Sequence, residues 1–470
     1  MNPKKLQKHR PKSPPLKPDR KTQIIMRKLL VVSLGCDKNL VDTEKMLGSL
    51  AGTDIELTDD ENEAEVILVN TCCFIHDAKE ESVSSIIEMS ELRKSGSCKA
   101  LIVAGCMAQH YGQDILDELE TVDAVIGTNA IGRLNEVLER IDKGERVLYL
   151  DELKGFPQNV KKRVSVTNGL SEYLKIAEGC DKHCTYCIIP KLRGSYRSVP
   201  MEELIEEAKG LAQAGVVELN LVAQETTLYG KDIYGEKRLH VLLHELCKIE
   251  GLKWIRLLYC YPEEIYPELI ETIRDEEKIC NYIDMPIQHC SDAVLKRMGR
   301  RTTKQELLDV IAALREEIPD IVLRTSLIAG FPGETEEQHQ EMLDFIDLVG
   351  FDRLGVFTYS REEGTPAYNM PDQLDEETKA KWRDELMALQ QEISLDFNEQ
   401  RIGDELDAFV EGFIPEDNIY IGRTYGDAPN VDGYVFINSD AGLNTGDIVR
   451  VRIEGASEYD LVSSVIDQED

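Results

Sequence analysis

Short continuous apolar runs alternate with helical stretches over the first third of the chain. Leu29–Leu34, Val66–Asn70 and Leu101–Ala104 each read as a strand buried on both faces, the pattern of a parallel sheet. Helical stretches at Leu40–Leu50 and Asp77–Arg93 separate them, and Asp123–Ile126 and Val147–Leu150 are candidates for further strands. This βαβ series predicts an open parallel α/β sheet over residues 29–150. A polar stretch with Pro157, Lys161, Lys162, Arg163 and Gly169 comes next, and residues 151–170 read as a linker. A second alternating series fills residues 171–400. Its strands are expected at Tyr173–Ala177, Val217–Val222, Trp254–Tyr259, Tyr282–Met285, Val322–Ile328 and Arg353–Thr358, with helices such as Met201–Gln213 and Thr303–Glu317 between them. Six strand–helix repeats predict a partial (β/α)6 barrel rather than a full eight-stranded one. Asp375–Gln400 reads as one long helix. Residues 401–470 then turn to β-rich runs (Ala408–Phe413, Gly433–Ile437, Ile448–Ile453, Asp460–Ile466) separated by Gly, Asn and Asp, which predicts a small β-barrel. The expected fold class is multidomain α/β with a β-barrel at its end.

Length and charge sharpen this picture. A chain of 470 residues is too long for one ordinary core and agrees with several domains. No apolar run is long enough to cross a membrane, no P-loop string occurs, and no fixed repeat points to a solenoid. The formal net charge is −34. Residues 1–28 run against it, with ten basic side chains and one acid, Asp19, and with Pro11, Pro14, Pro15 and Pro18 between Lys4 and Lys21. They read as a basic disordered arm, either an RNA-touching segment or a dispensable extension. With no apolar secretory segment, a reducing, cytoplasmic setting is expected, where grouped cysteines mean metal or redox chemistry.

Two groups stand out among the twelve cysteines. Cys180-Asp-Lys-His-Cys184-Thr-Tyr-Cys187 comes after the first strand of the expected barrel. Three thiolates so close in sequence can hold three irons of a 4Fe–4S cube and leave the fourth without a protein ligand. An open iron can bind a small molecule, as an open coordination position does in catalytic zinc sites. A zinc site completed by His183 is the alternative, and the adjacency of His183 to Cys184 counts against it. The second group is dispersed. Cys36, Cys72 and Cys106 each come just past the carboxyl end of an expected parallel strand, the edge at which open α/β sheets bind ligands. Gly35 and Gly105 precede two of them and permit tight turns. Cys73 neighbours Cys72 but points elsewhere, so one of the two is the expected ligand. Cys98, Cys247, Cys260, Cys280 and Cys290 fit no such pattern and read as structural or free thiols.

The C-x3-C-x2-C string, with Tyr186 before its last cysteine, resembles the radical S-adenosylmethionine superfamily. Both cysteine sets together resemble its methylthiotransferase family. The match rests on Gly35-Cys36-Asp-Lys-Asn-Leu-Val-Asp-Thr-Glu44, Asn70-Thr-Cys72, Gly105-Cys106-Met-Ala-Gln109 and a terminal barrel of the TRAM type. The resemblance implies two 4Fe–4S clusters. Cys180, Cys184 and Cys187 would hold one, whose open iron chelates S-adenosylmethionine and cleaves it to a 5′-deoxyadenosyl radical. Cys36, Cys72 and Cys106 would hold an auxiliary cluster that carries or supplies sulfur. S-adenosylmethionine serves as methyl donor and as radical source, and an electron donor protein and a sulfur source are implied partners. Tyr186, Gln224 and Arg324 are the expected S-adenosylmethionine contacts, the last within Arg324-Thr-Ser-Leu-Ile-Ala-Gly-Phe-Pro-Gly-Glu334. His289 is as well suited to a hydrogen-bonding role in the core as to catalysis.

The family has one branch that modifies transfer RNA and one that modifies an aspartate of ribosomal protein S-twelve. Residues 404–470 carry three arginines, no lysine and sixteen acids, a poor surface for polyphosphate and a complementary one for a basic protein. Gly35-Cys-Asp-Lys-Asn39, Leu192-Arg-Gly-Ser-Tyr-Arg-Ser198 and Ala223-Gln-Glu-Thr-Thr-Leu-Tyr-Gly230 resemble the protein-modifying branch. The implied reaction is transfer of a methylthio group to the aspartate β-carbon. The alternatives are a tRNA adenosine methylthiotransferase and a non-catalytic iron–sulfur or zinc protein.

Overall fold

Parallel pairing aligns the strand ends of the amino-terminal sheet. In the computed structural model, which describes residues 26–157, 160, 163–167 and 169–466, its strands are β1 (Arg27–Ser33), β2 (Ile55–Leu57), β3 (Val66–Thr71), β4 (Ala100–Gly105), β5 (Ala124–Ile126) and β6 (Val147–Tyr149). Their order is β2-β1-β3-β4-β5-β6, all parallel. β3 and β4 are buried along their whole length, as continuous apolar runs require. Helices α1 (Asp37–Ser49), α2 (His76–Ser95), α3 (Cys106–Glu118) and α4 (Leu134–Ile141) make the crossovers. The short edge strand β2 lacks a long apolar run and escapes the sequence pattern. The basic arm lies outside the described residues except for its last three, of which Arg27 and Lys28 open β1.

The second sheet contains six parallel strands in the order β14-β13-β12-β11-β10-β7 and is a partial barrel. These are β7 (Ser171–Lys175), β10 (Glu218–Val222), β11 (Trp254–Leu257), β12 (Ile279–Asp284), β13 (Val322–Ala329) and β14 (Arg353–Thr358). The first expected strand is broken at Ile176: β8 (Ala177–Glu178) turns away and pairs antiparallel with β9 (Arg197–Ser198). Helix α5 (Ile189–Arg193) lies between β8 and β9. Leu219 and Leu221 point to the outer helices and are fully buried, each contributing about 1.5–3 kcal/mol of apolar burial. The alternate residues Glu218, Asn220 and Val222 face the lumen.

A closed barrel of β15 (Glu405–Ile414), β16 (Ile419–Thr424), β17 (Val435–Asn438), β18 (Ile448–Ala456) and β19 (Leu461–Val465) ends the chain. It docks at the end where the strands of the partial barrel begin, against Glu218, Trp254 and Val322. Phe409 and Ala428 join Trp254, Cys280, Tyr282 and Val322 in one apolar cluster, and Arg423 forms a fully buried ion pair with Glu218 at 2.6 Å. Asp432 reaches further in, accepting from Tyr282 Oη at 2.7 Å and pairing with Arg324.

Helix α1 closes the opposite end of the lumen. It buries Lys38, Asn39, Asp42, Thr43 and Glu44, the polar residues a solvent-facing helix would expose. They meet the partial barrel instead. Lys175 and Arg193 form a buried quartet with Asp42 and Glu178. The expected linker has no regular structure, yet it is not loose. Arg163 is buried and ties Glu44 of α1 to Glu172 of β7, both at 2.6 Å, while Val164 N donates to Glu44 O. Lys161 and Lys162 lie outside the described residues. Among the described residues no helix is long and apolar enough to cross a membrane.

Candidate active site

Register brings the dispersed cysteines together. Ser33 pairs with Asn70 and Asn70 with Ala104, so Cys36, Cys72 and Cys106 leave adjacent strands at one level. Cys36 caps α1, its carbonyl accepting from Asn39 N and Leu40 N. The turns before Cys36 and Cys106 use left-handed glycines, Gly35 at φ +85° and Gly105 at φ +93°. Gly35 is also a cradle: a Cβ there would lie 2.6 Å from Cys72 Cβ and 3.0 Å from its sulfur. The three thiols lie within electrostatic reach of one another. Burial pushes Cys72 up to about 12, and the charges of Cys106 and Cys36 act in the same direction. Burial also raises Cys106, against the pull of Arg193. Cys73 shares its apolar core with Cys106, Ile188 and Leu192, and burial raises its thiol, with the charges of Cys106 and Cys72 acting in the same direction. Among the described residues no three His, Cys, Asp or Glu close around a single ion. The donor set of three soft thiols in a glycine-shaped hollow fits a cube, whose ligands sit on separate corners.

The second set hangs on the loop after β8. Cys180 N donates to Gly194 O at 3.1 Å, Cys187 N to Cys184 O at 3.0 Å, and Thr185 N to Met298 O at 2.8 Å. Cys180 and Cys184 are buried, and burial drives Cys180 up to about 11. His183 is exposed, in a left-handed turn at φ +55°, unlike the buried thiols on either side of it. Tyr186 lies beside Cys184 and packs edge-on against Phe331, ring centres 6.5 Å apart. Tyr261 Oη is 3.8 Å from Cys184 Sγ, and Arg300 covers the Tyr261 ring at 4.3 Å.

A polar seam joins the two sets. Ile188, next to Cys187, is buried in the amino-terminal core together with Cys73 and Cys106. Six residues after Cys187, about 9 Å along a helix, Arg193 donates to Cys106 Sγ at 3.4 Å and to Asn39 Oδ1. Gln224, past the end of β10, donates to Glu178 Oε1 at 3.1 Å, and its own Oε1 is buried without a partner. Glu225 is fully buried, its Oε2 lacks a hydrogen bond, and burial pushes it up to about 7 despite Lys182 nearby. Glu225 Oε2 is paired with Lys182 at 3.6 Å, so Gln224 Oε1 is the orphaned acceptor, and it fits a polar N–H or O–H donor of S-adenosylmethionine.

The other residues singled out in the sequence divide clearly. Arg324 departs from the expectation: it sits inside β13, level with Asp284, and its guanidinium is held by Asp284 at 2.8 Å and Asp432 at 3.2 Å. Two carboxylates already satisfy it, so it braces the lumen. His289 is buried and structural. Its Nδ1 accepts from Cys290 N and Ser291 N, both at 3.0 Å, which leaves the proton on Nε2 facing Glu334. Glu334 Oε2 in turn accepts from Gly330 N and Phe331 N at 2.8 Å. Lys38, Asn39, Arg193, Glu225 and Tyr261 receive no role from sequence. All but Tyr261 stand within the strings that carry the family resemblance, the one available signal.

The comparisons agree with this architecture. Residues 174–346 match the Radical SAM superfamily, residues 28–127 the Uncharacterized protein family UPF0004, and residues 402–466 the TRAM domain. Among solved structures, the radical S-adenosylmethionine methyltransferase TsrM from Kitasatospora setae shares the fold at a TM-score of 0.54 and 14% identity, covering 80% of this chain and 76% of that one. The fold and first cysteine string are those of a radical S-adenosylmethionine enzyme, a class that uses a 4Fe–4S cluster and S-adenosylmethionine. "Ribosomal protein uS12 methylthiotransferase RimO" of Lachnoclostridium phytofermentans is 55% identical over 437 residues, 93% of this chain and 99% of that protein. The protein of the same name from Clostridioides difficile is 48% identical over 94% of this chain and 99% of its own length. The chain belongs to this RimO family of radical methylthiotransferases.

Proposed function

We propose that this enzyme transfers a methylthio group to the β-carbon of an aspartate in ribosomal protein S-twelve. The observation that carries the reading is the pair of cysteine triads, one at the strand ends of the amino-terminal sheet and one on the loop after β8, joined by the short span from Cys187 to Arg193. Cys180, Cys184 and Cys187 hold one 4Fe–4S cluster. Cys36, Cys72 and Cys106 hold a second, auxiliary one. When bound, the first cluster with S-adenosylmethionine supplies hydrogen abstraction from an unactivated carbon, and the second supplies sulfur.

The protein's own groups orient the reactants. Tyr186 walls the first cluster, and Gln224 offers a free acceptor to S-adenosylmethionine. Tyr261 and Arg300 shield the cluster from water. Arg193 holds Cys106 and Asn39 from the barrel side, which keeps the two sites in fixed relation. The acidic terminal barrel suits a basic ribosomal protein. An electron donor protein and a sulfur source complete the reaction, and such a substrate places the work in the cytoplasm.

Mass spectrometry of ribosomal protein S-twelve from a deletion strain tests this. The methylthio mass on the aspartate should vanish and return on complementation. Persistence of that mass with loss of a tRNA modification would replace the protein substrate by an adenosine.

A further inference from the structure

Lys38 is a buried cation without an anion. It is the second residue of α1, only 6% exposed, and two residues from Cys36. Its ammonium lies over the face of the Tyr259 ring, 3.0 Å from the centroid. Among the described residues it has no carboxylate partner and no hydrogen bond. The adjacent Asp37 is engaged elsewhere, accepting from Tyr259 Oη at 3.2 Å. The other buried cations around the seam are all paired: Lys175 and Arg193 with Asp42 and Glu178, Arg300 with Glu263, and Arg324 with Asp284 and Asp432. A buried ammonium facing only an aromatic ring is incompletely solvated, and a bound carboxylate would complete it.

Its position matches the place a substrate must occupy. Tyr259 stands just past the end of β11, and Tyr261, two residues on, reaches Cys184. The loop that carries the Lys38 platform therefore also borders the first cluster site. Tyr259 is itself held in a left-handed conformation, φ +61°, that bulky side chains rarely adopt. Two bonds fix it there: Tyr259 N donates to Asp284 Oδ2 at 2.9 Å, and Thr226 N donates to Tyr259 O at 3.0 Å. The ring thus holds Lys38 beside the loop that reaches Cys184, two residues from Cys36.

We propose that Lys38 is a specificity-determining residue that binds the side-chain carboxylate of the substrate aspartate. The inference rests on the proposed function and deepens it. In aspartate the carboxylate is bonded directly to the β-carbon, so anchoring it fixes the reacting atom within one bond length. An asparagine, or a nucleobase, offers no anion there and leaves the ammonium unpaired.

The test uses reconstituted full-length enzyme and unmodified ribosomal protein S-twelve carrying either the target aspartate or asparagine in its place. Wild-type enzyme should favour aspartate by about 10- to 100-fold in kcat/KM, the range of a hydrogen bond to a charged group. Lys38→Met should reduce that preference to within about threefold, mainly through KM for the aspartate substrate, and Lys38→Arg should restore most of it. Lys38→Gln serves as a second neutral variant, and iron and sulfide equal to wild type certify each preparation. Equal losses on both substrates would assign Lys38 to structure or to sulfur handling and overturn the proposal, as would an unchanged preference. If wild-type enzyme modifies neither substrate, the aspartate reading itself fails and Lys38 loses this role with it.

Discussion

Arg193 and Cys106 belong to different halves of the molecule, and a guanidinium N–H of one donates to the sulfur of the other at 3.4 Å. The same guanidinium pairs with Asp42 and Glu178, so one side chain meets a thiol, an amide and two carboxylates. Arg193→Met should leave Lys175 as the one cation paired with two buried acids, Asp42 and Glu178, in this quartet. Breaking such a buried network costs about 3–5 kcal/mol. Denaturant titration should show that loss in the cluster-free protein, and Arg193→Lys should recover part of it. Stability equal to wild type in Arg193→Met would contradict this role.

Cysteine replacement separates the two cluster sites. Wild-type protein reconstituted without oxygen should contain about eight iron per chain, two cubes of four. Cys36→Ala, Cys72→Ala and Cys106→Ala should each bring that to about four, while Cys73→Ala keeps the full content. Cys72, not Cys73, is the thiol that lies against the Gly35 hollow beside Cys36, so loss of Cys73 should cost packing rather than iron. Iron and sulfide assays decide between the neighbouring thiols.

Gly35→Ala should mimic Cys72→Ala with a single methyl group. The added carbon meets Cys72 Cβ at 2.6 Å on a backbone at φ +85°. About 1–3 kcal/mol of strain results, and the hollow for the auxiliary cluster closes. Iron should fall to about half the wild-type content while the other cluster's electron paramagnetic resonance signal persists.

Acid should loosen the terminal barrel through Glu218. Burial alone would raise this carboxyl, but Arg423 and Arg256 outweigh it and hold it at about 2, below its ordinary 4.5. A depressed carboxyl stabilises the fold fully above pH 4.5 and loses that contribution as pH falls towards 2. The amount is about 3 kcal/mol. Urea midpoints of wild type should therefore drop between pH 4.5 and pH 3, and those of Glu218→Gln should start lower and change less.

The strands and the convergence of Cys36, Cys72 and Cys106 are legible in the sequence because buried parallel strands announce themselves as apolar runs, and residues just past their carboxyl ends share an edge. The roles of α1 are not. Lys38, Asn39, Asp42 and Glu44 look like a solvated face, and only contact with the partial barrel turns that face inward. Arg324 misleads for a related reason. Its string ends at the reactive mouth, but the arginine itself sits five residues before the end of β13, where Asp432 arrives from a distant part of the chain. Strand β16 escapes detection because Ile419–Thr424 mixes Gly422 and Arg423 into a short run, and that arginine pairs with Glu218.

The staple at Arg163 bears on how the two cysteine sets keep their relation. It fastens α1, the helix that Cys36 caps, to β7, the strand that leads towards Cys180. A displacement of one set is thereby passed to the other through a single guanidinium.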